Sequence, residues 1–443
     1  EDGEEYALKL FLDDEEEEEE YGEEEEEQEN PTGIDLGAIR EISALRLLRE
    51  ENGHENIVPM VDVKSAEMEE VSEEEYGAGT EGCLGMAMPL YQSGTLGDAI
   101  DGQKLHSRRQ KVKVAHGLLS AVAYLHDNGI IHRDIKADNV MLEEEAGGDN
   151  ILKPILIDFS LAKIINGTMY GQTGGHAFRL DGSDDTEATH TGEVGTVTYQ
   201  APEVVQSKPY GLPSDLWSVG VILLEVIRDK TLEACKNKQA EKMILDALED
   251  LPDQPFPNLI RGLLTEDPEK RLTARDALNS PVFTKFGMTA PPVRIIDVAL
   301  ALPFDDEEDQ EDENSHPNNG SKMMSSHKKD PILQKRQKAI RRICRDMEYV
   351  HPMTKDAALA FSQQMFQLDD MLDDFSESQT LLDCIVMAAK FYEAELPDLM
   401  DLNETTIGTF KNWCIEEYID NETTIWMMMD HCLYPRVMEN WES

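Results

Sequence analysis

Residues 132–139 read HRDIKADN, and Asp158 follows Asn139 after 19 positions in the run ILIDFS. Two aspartates, a lysine and an amide at this spacing, set among the short apolar runs GIIH, NVML and ILID, could converge on one point. An aspartate beside a substrate hydroxyl serves as base or orienter. A second aspartate and an amide oxygen are hard ligands of the kind Mg2+ accepts. Upstream, Lys9 stands in YALKLFL, which reads as a strand, while GAIREISALRLLRE puts Ala38, Glu41, Leu45 and Leu48 on one helical stripe. An acid on an otherwise apolar stripe is costly unless paired, and Lys9 is the natural cation for Glu41.

A mixed fold has to position these residues. The chain has 443 residues with 91 acidic and 40 basic side chains, a formal net charge of −51. That length predicts two or three domains. The charge argues against nucleic acid and anionic membranes as partners, since both are polyanions. Much of it is concentrated: residues 1–30 hold 18 acids and one lysine, and 305–313 hold eight more acids. Acidic runs of this kind repel themselves and read as solvated loops. No apolar run approaches the roughly 18 residues of a membrane span. The six cysteines form no CxxC pair, which argues against a disulfide framework or a zinc site and for a reducing, intracellular compartment. From Gly33 to about Met288 helical stripes alternate with β-type runs. An acidic and then Asn/Ser/His-rich linker follows, and from Asp330 onward apolar residues recur at helical spacing. The segment Leu381 to Tyr392 is apolar almost all round, as in a helix central to a bundle.

HRDIKADN and IDFS resemble the catalytic loop and metal-binding triplet of protein kinases. The resemblance implies an α+β bilobal kinase fold with ATP and Mg2+ as cofactors and protein substrates as partners. Asp134 would be the catalytic base, Lys136 would stabilise the transferred phosphoryl group, and Asn139 and Asp158 would hold the metal. Lys9 and Glu41 would form the ion pair that serves the ATP phosphates, Met88 would be the gatekeeper, and the Tyr91 backbone would face adenine. GTVTYQAPE resembles the segment ending in APE, so Glu203 would pair with Arg271 of DPEKRL. SDLWSVGVILLEV resembles the buried C-lobe helix, with Ser214 as its N-cap and Asp215 tying the catalytic loop.

AIREISALRLL is similar to the PSTAIRE helix of cyclin-dependent kinases. By that likeness Thr191 stands at the activating phosphothreonine, with Arg40, Arg133 and Lys163 as its cations, which implies an upstream activating kinase. IRRICRDM and MAAKFYEAELPDL resemble a cyclin box. There Lys390 and Asp430 would contact the kinase helix, in cis or in trans, unless a separate cyclin does so. The resulting division is a kinase domain over 1–287, with an acidic insertion at 13–30 and an activation-loop insertion at 166–190. A linker over 288–329 and an all-α cyclin-like domain over 330–443 complete it. Family analogy places such a protein in the nucleus or cytoplasm.

The sequence departs from the family in four places. It starts eight residues before Lys9, so no glycine-rich loop precedes it and the N-lobe lacks its first strands; the expectation is that a longer domain has been cut. The triplet is DFS, with Ser160 where glycine is usual. Thr198 and Gln200 replace the residues that proline-directed kinases carry before APE. Pro89 stands in the hinge. The alternative reading is a pseudokinase or cyclin-like scaffold that assembles partners without catalysis.

Overall fold

The computed structural model describes residues 5–11, 34, 36–49, 53–65, 84–145, 152–164, 196–206, 208, 210–232, 238–252, 254–296, 331–347, 352–365, 377–392, 422 and 426. The chain divides into two units, one spanning Glu1–Glu23 and Asp35–Asp297, the other Glu24–Ile34 and Val298–Ser443.

In the first unit the run around Lys9 forms strand β1 (Tyr6–Phe11), and β2 (Asp62–Ser65) and β3 (Leu84–Pro89) complete an antiparallel sheet of order β1-β3-β2. The register sets Lys9 opposite Met86 and Ala7 opposite Met88. The helical stripe becomes α1 (Leu36–Leu48), whose Ala38, Glu41, Leu45 and Leu48 are all buried. Helix α2 (Leu96–Asp101) opens on a capping box, Thr95 accepting from the Asp98 N–H and Asp98 reaching back to the Thr95 N–H.

Helix α3 (Arg108–Asp127), N-capped by Ser107, is a central post. Strand β6 (Leu152–Leu156) lies close against it: a Cβ on Gly117 would stand 2.7 Å from Pro154 Cγ and 2.8 Å from Asn56 Nδ2. That closeness needs glycine. Strands β4 (Ile130–Ile131), β5 (Val140–Glu144) and β7 (Lys163–Ile164) flank the loops of interest; β4 pairs with β7 and β5 with β6.

Helix α4 (Pro202–Val205) follows a 3-10 turn at Thr196–Tyr199, and α5 (Pro213–Arg228) is buried along nearly its whole length, as expected of SDLWSVGVILLEV. Each fully buried Val, Leu or Ile there contributes about 1.5–3 kcal/mol of gross hydrophobic stabilisation. Its start differs from the expectation. Ser214 is not the N-cap: Pro213 takes the first helical position, where its fixed φ is preorganised and its missing N–H costs nothing, and Ser214 Oγ donates to the Gly211 carbonyl at 2.9 Å. Helices α6 (Lys238–Glu249), α7 (Pro255–Leu263), α8 (Ala274–Leu278) and α9 (Pro281–Thr284) complete this unit.

The linker expected from residue 288 starts later, because residues 288–296, without helix or strand, are tied to the first unit. Arg294 stacks on Tyr124 with its Cζ 5.1 Å from the ring centre and donates to the Gly53 carbonyl at 2.7 Å, while Asn128 bonds Arg294 O and Ile296 N.

The described residues of the second unit are helical apart from Ile34 and the turn residue Met347: α10 (Pro331–Asp346), α11 (Pro352–Met365) and α12 (Glu377–Tyr392). Residues 380–390 of α12 are all buried, and α12 packs on α11 and α10. Among the described residues no helix is long and apolar enough to cross a membrane.

Candidate active site

Strand β1 presents Lys9 and helix α1 presents Glu41, and the two meet with Nζ 2.5 Å from Oε2. Glu41 is 1% exposed and Lys9 one-third exposed, so the pair reaches from the core to the edge of a cleft. Lys9 also donates to Asp158 Oδ1 at 3.2 Å. Burial alone would lower the Lys9 pKa, but Glu41 and Asp158 outweigh it and hold the ammonium above the ordinary lysine value. Burial likewise pushes Asp158 up, yet the Lys9 charge and the Ser160 hydroxyl hold its carboxyl below the ordinary value.

The HRD loop runs from β4 into the 3-10 turn Ala137–Asn139. Asn139 Nδ2 donates to both the backbone oxygen of Asp134, at 2.9 Å, and its Oδ2, at 2.8 Å. Both partners are acceptors, which fixes the amide orientation and leaves Asn139 Oδ1 without a donor among the described residues. Lys136 Nζ lies 3.0 Å from Asp134 Oδ2. The Ile157 N–H donates to the backbone oxygen of Asn139 at 3.0 Å, so Asp158 is held one residue from a direct bond to the catalytic loop. The structure therefore brings together Lys9, Glu41, Asp134, Lys136, Asn139 and Asp158.

Asp215 supports this loop from below. Its Oδ2 accepts from the His132 N–H at 2.9 Å and lies 3.0 Å from His126 Nε2, while Oδ1 accepts from the Arg133 N–H at 3.0 Å. Complete burial pushes its carboxyl up, but the His126 hydrogen bond and the two histidine rings reverse that and leave it lowered. His132 links the two motifs: its Nδ1 accepts from the Asp134 N–H at 3.3 Å, its Nε2 faces the Ile157 carbonyl at 3.2 Å, and its ring packs on Phe159.

Two non-glycine residues of the site take left-handed backbone, Arg133 with φ 71° and Asp158 with φ 63°. Ser160 does not, so the serine of DFS carries no strain of that kind. Its Oγ instead donates to Asp158 Oδ1 at 2.8 Å.

Met88 is the last residue but one of β3, opposite Ala7 of β1, and Tyr91 follows it by three positions, half-buried, with its hydroxyl pKa pushed up to about 12 by burial and by Glu143. Glu203 and Arg271 form a buried two-toothed pair at 2.6 and 2.9 Å. Arg40 and Lys163 are buried, the β4–β7 register puts Lys163 opposite Ile131, two residues before Arg133, and Thr191 lies outside the described residues.

In the second unit Lys390 Nζ donates to the Ile34 carbonyl at 3.1 Å and to Glu422 Oε1 at 2.7 Å, and the Ile34 N–H donates to Glu422 Oε2 at 2.6 Å. Asp430, expected with Lys390 as a contact to the kinase helix, lies outside the described residues, and Glu422 is a buried carboxylate beside Lys390 that the sequence reading missed. No spacing in the sequence announced it: Glu422 is buried, and Lys390 and the Ile34 backbone come to it only through packing.

Among the described residues no group of three His, Cys, Asp or Glu side chains forms a metal cage. What the cleft offers is sparser. Asp158 Oδ2, Asn139 Oδ1 and Asp134 Oδ1 accept no hydrogen bond from any described residue. One carboxylate and one amide oxygen, with no soft donor, fit a small hard cation that keeps waters and shares phosphate oxygens with a nucleotide.

Residues 1–283 match the family described as protein kinase domain. Serine/threonine-protein kinase DCLK2 of Rattus norvegicus is 30% identical over 251 residues, 54% of this chain and 27% of that protein. Serine/threonine-protein kinase DCLK1 of Rattus norvegicus is 34% identical over 182 residues, 41% of this chain and 33% of that protein. Calcium/calmodulin-dependent protein kinase type II of Caenorhabditis elegans is 30% identical over 206 residues, 44% of this chain and 25% of that protein. The aligned regions thus span a quarter to a third of each relative's length.

Proposed function

The chain belongs to the protein kinase domain family, and from that premise we propose that it is a serine/threonine protein kinase transferring the ATP γ-phosphoryl group to protein hydroxyls. The observation that carries this reading is the convergence of Lys9, Asp134, Asn139 and Asp158, drawn from strand β1, the catalytic loop and the DFS segment, into one linked cluster. ATP supplies the transferable group, and Mg2+, when bound, neutralises charge on its phosphates.

The protein's own residues do the positioning. The Lys9 ammonium, kept charged by its two carboxylates, is the cation for the nucleotide phosphates. Asn139 and Asp158 offer the metal two hard oxygens. Asp134, held by Asn139 Nδ2 at one oxygen, keeps the other to orient the substrate hydroxyl and take its proton. Lys136 beside it balances charge as the hydroxyl attacks. Met88 and the Tyr91 backbone line the adenine end.

The finer reading is a kinase of cyclin-dependent type carrying its own cyclin box. It is supported by the AIREISALRLL sequence of α1 and by the Lys390–Glu422 pair, which grips both backbone groups of Ile34, two positions before that helix. Thr191 would then be the target of an upstream kinase. One assay tests both levels: full-length protein and its Lys390→Met variant with Mg2+, ATP and a mixed protein substrate, followed by phosphoamino-acid analysis. Phosphoserine and phosphothreonine are expected, with a rate lowered in the folded variant. No transfer, or phosphotyrosine, contradicts the kinase reading, and an unchanged variant rate contradicts the cyclin-type one.

A further inference from the structure

Asp158 Oδ1 is doubly engaged: Lys9 Nζ donates to it at 3.2 Å and Ser160 Oγ at 2.8 Å, with the Ser160 N–H 3.5 Å away. A carboxylate oxygen has two lone pairs, so these donors saturate it, while Oδ2 stays uncommitted among the described residues. The left-handed backbone at Asp158 turns the loop back on itself and brings the Ser160 hydroxyl onto the carboxylate two positions earlier.

The two donors differ in permanence. A triphosphate competes with Asp158 for the Lys9 ammonium, whereas it leaves the Ser160 hydroxyl, on the same loop as Asp158, in place. A glycine at this position could offer only its N–H.

We propose that Ser160 is a positioning residue: its hydroxyl occupies Asp158 Oδ1 and confines the carboxylate to one-oxygen ligation through Oδ2, which favours Mg2+ over Ca2+ at this site. The inference rests on the reading of Asp158 as a cation ligand. Its physical basis is the difference in coordination between the ions. Mg2+ demands octahedral ligands at about 2.0–2.1 Å and suits single oxygens, whereas Ca2+ at about 2.3–2.6 Å readily takes both oxygens of one carboxylate. A hydroxyl on Oδ1 has to be displaced before Asp158 can chelate, and that cost falls on the larger ion alone.

The test is equilibrium binding of a fluorescent ADP analogue to the full chain, titrated separately with Mg2+ and with Ca2+. Wild-type protein should bind the nucleotide more tightly with Mg2+. Ser160→Ala should bring the two affinities closer by about tenfold, the size of one charge-assisted hydrogen bond. Ser160→Thr, which keeps the hydroxyl, should restore the wild-type ratio, and melting curves of all three confirm folding. A Ser160→Ala ratio within about twofold of wild type, or a Thr variant that behaves as Ala does, overturns the role of Ser160. Nucleotide binding by wild-type protein that ignores both cations overturns the metal reading of Asp158 itself, so the two failures are told apart.

Discussion

Lys9 holds one positive charge between two carboxylates, Glu41 at 2.5 Å and Asp158 at 3.2 Å. In water such contacts are worth little, but Glu41 is almost fully buried, so its charge has no alternative partner in solvent. The apolar length of a Lys9→Met variant would still pack, while Glu41 would lose its cation and the phosphates theirs. We expect phosphotransfer to fall by about a hundredfold or more with the protein still folded, as read by steady-state kinetics beside a melting curve. A variant within a few-fold of wild type would remove Lys9 from the machinery. This pairing was legible in the sequence, because an acid on an apolar stripe poses a question that only a cation answers. Glu422 was not, because its partners, Lys390 and the Ile34 backbone, are brought to it by packing rather than by spacing.

Among the elements, α5 holds the catalytic loop through Asp215 near its start and the Thr196–Tyr199 turn through Glu225 near its end. Glu225 is fully buried, accepting from the Tyr199 hydroxyl at 3.1 and 3.2 Å and from the Leu232 N–H at 2.7 Å. Burial pushes its carboxyl up to about 8 despite those bonds, and Asp138 and Asp101 add to the push. A folded-state pKa raised above the unfolded value of 4.5 means that the native state binds the extra proton. This group's contribution is therefore complete below that value and is lost as pH rises toward 8. Glu225→Gln should flatten the stability curve across that interval relative to wild type, as measured by urea denaturation at stepped pH; parallel curves would show that Glu225 titrates normally. The helices and strands around HRDIKADN were readable from apolar runs. Two boundaries were not. Pro213 displaced the cap expected at Ser214, and the strap 288–296 has no periodicity to announce that Arg294 and Asn128 tie it down.

On the scale of the whole molecule, a chain of net charge −51 gathers its few functional cations into defined places: Lys9 and Lys136 in the cleft, Arg271 on Glu203, and Lys390 on Glu422 in the second unit. The two-unit plan was legible from composition, since an acidic, apolar-poor stretch cannot bury a core, although the units meet the chain at Ile34 and Asp297 rather than at the compositional break. The most direct test of the central claim is the rate of γ-phosphoryl transfer by the full-length protein against its Asp134→Asn variant at matched stability. Asparagine keeps the shape and the Asn139 contact but cannot take a proton, so transfer should fall by about a hundredfold to ten-thousandfold while Mg2+-dependent nucleotide binding persists. Transfer at the wild-type rate would contradict the role of Asp134 and, with it, the catalytic reading of the cleft.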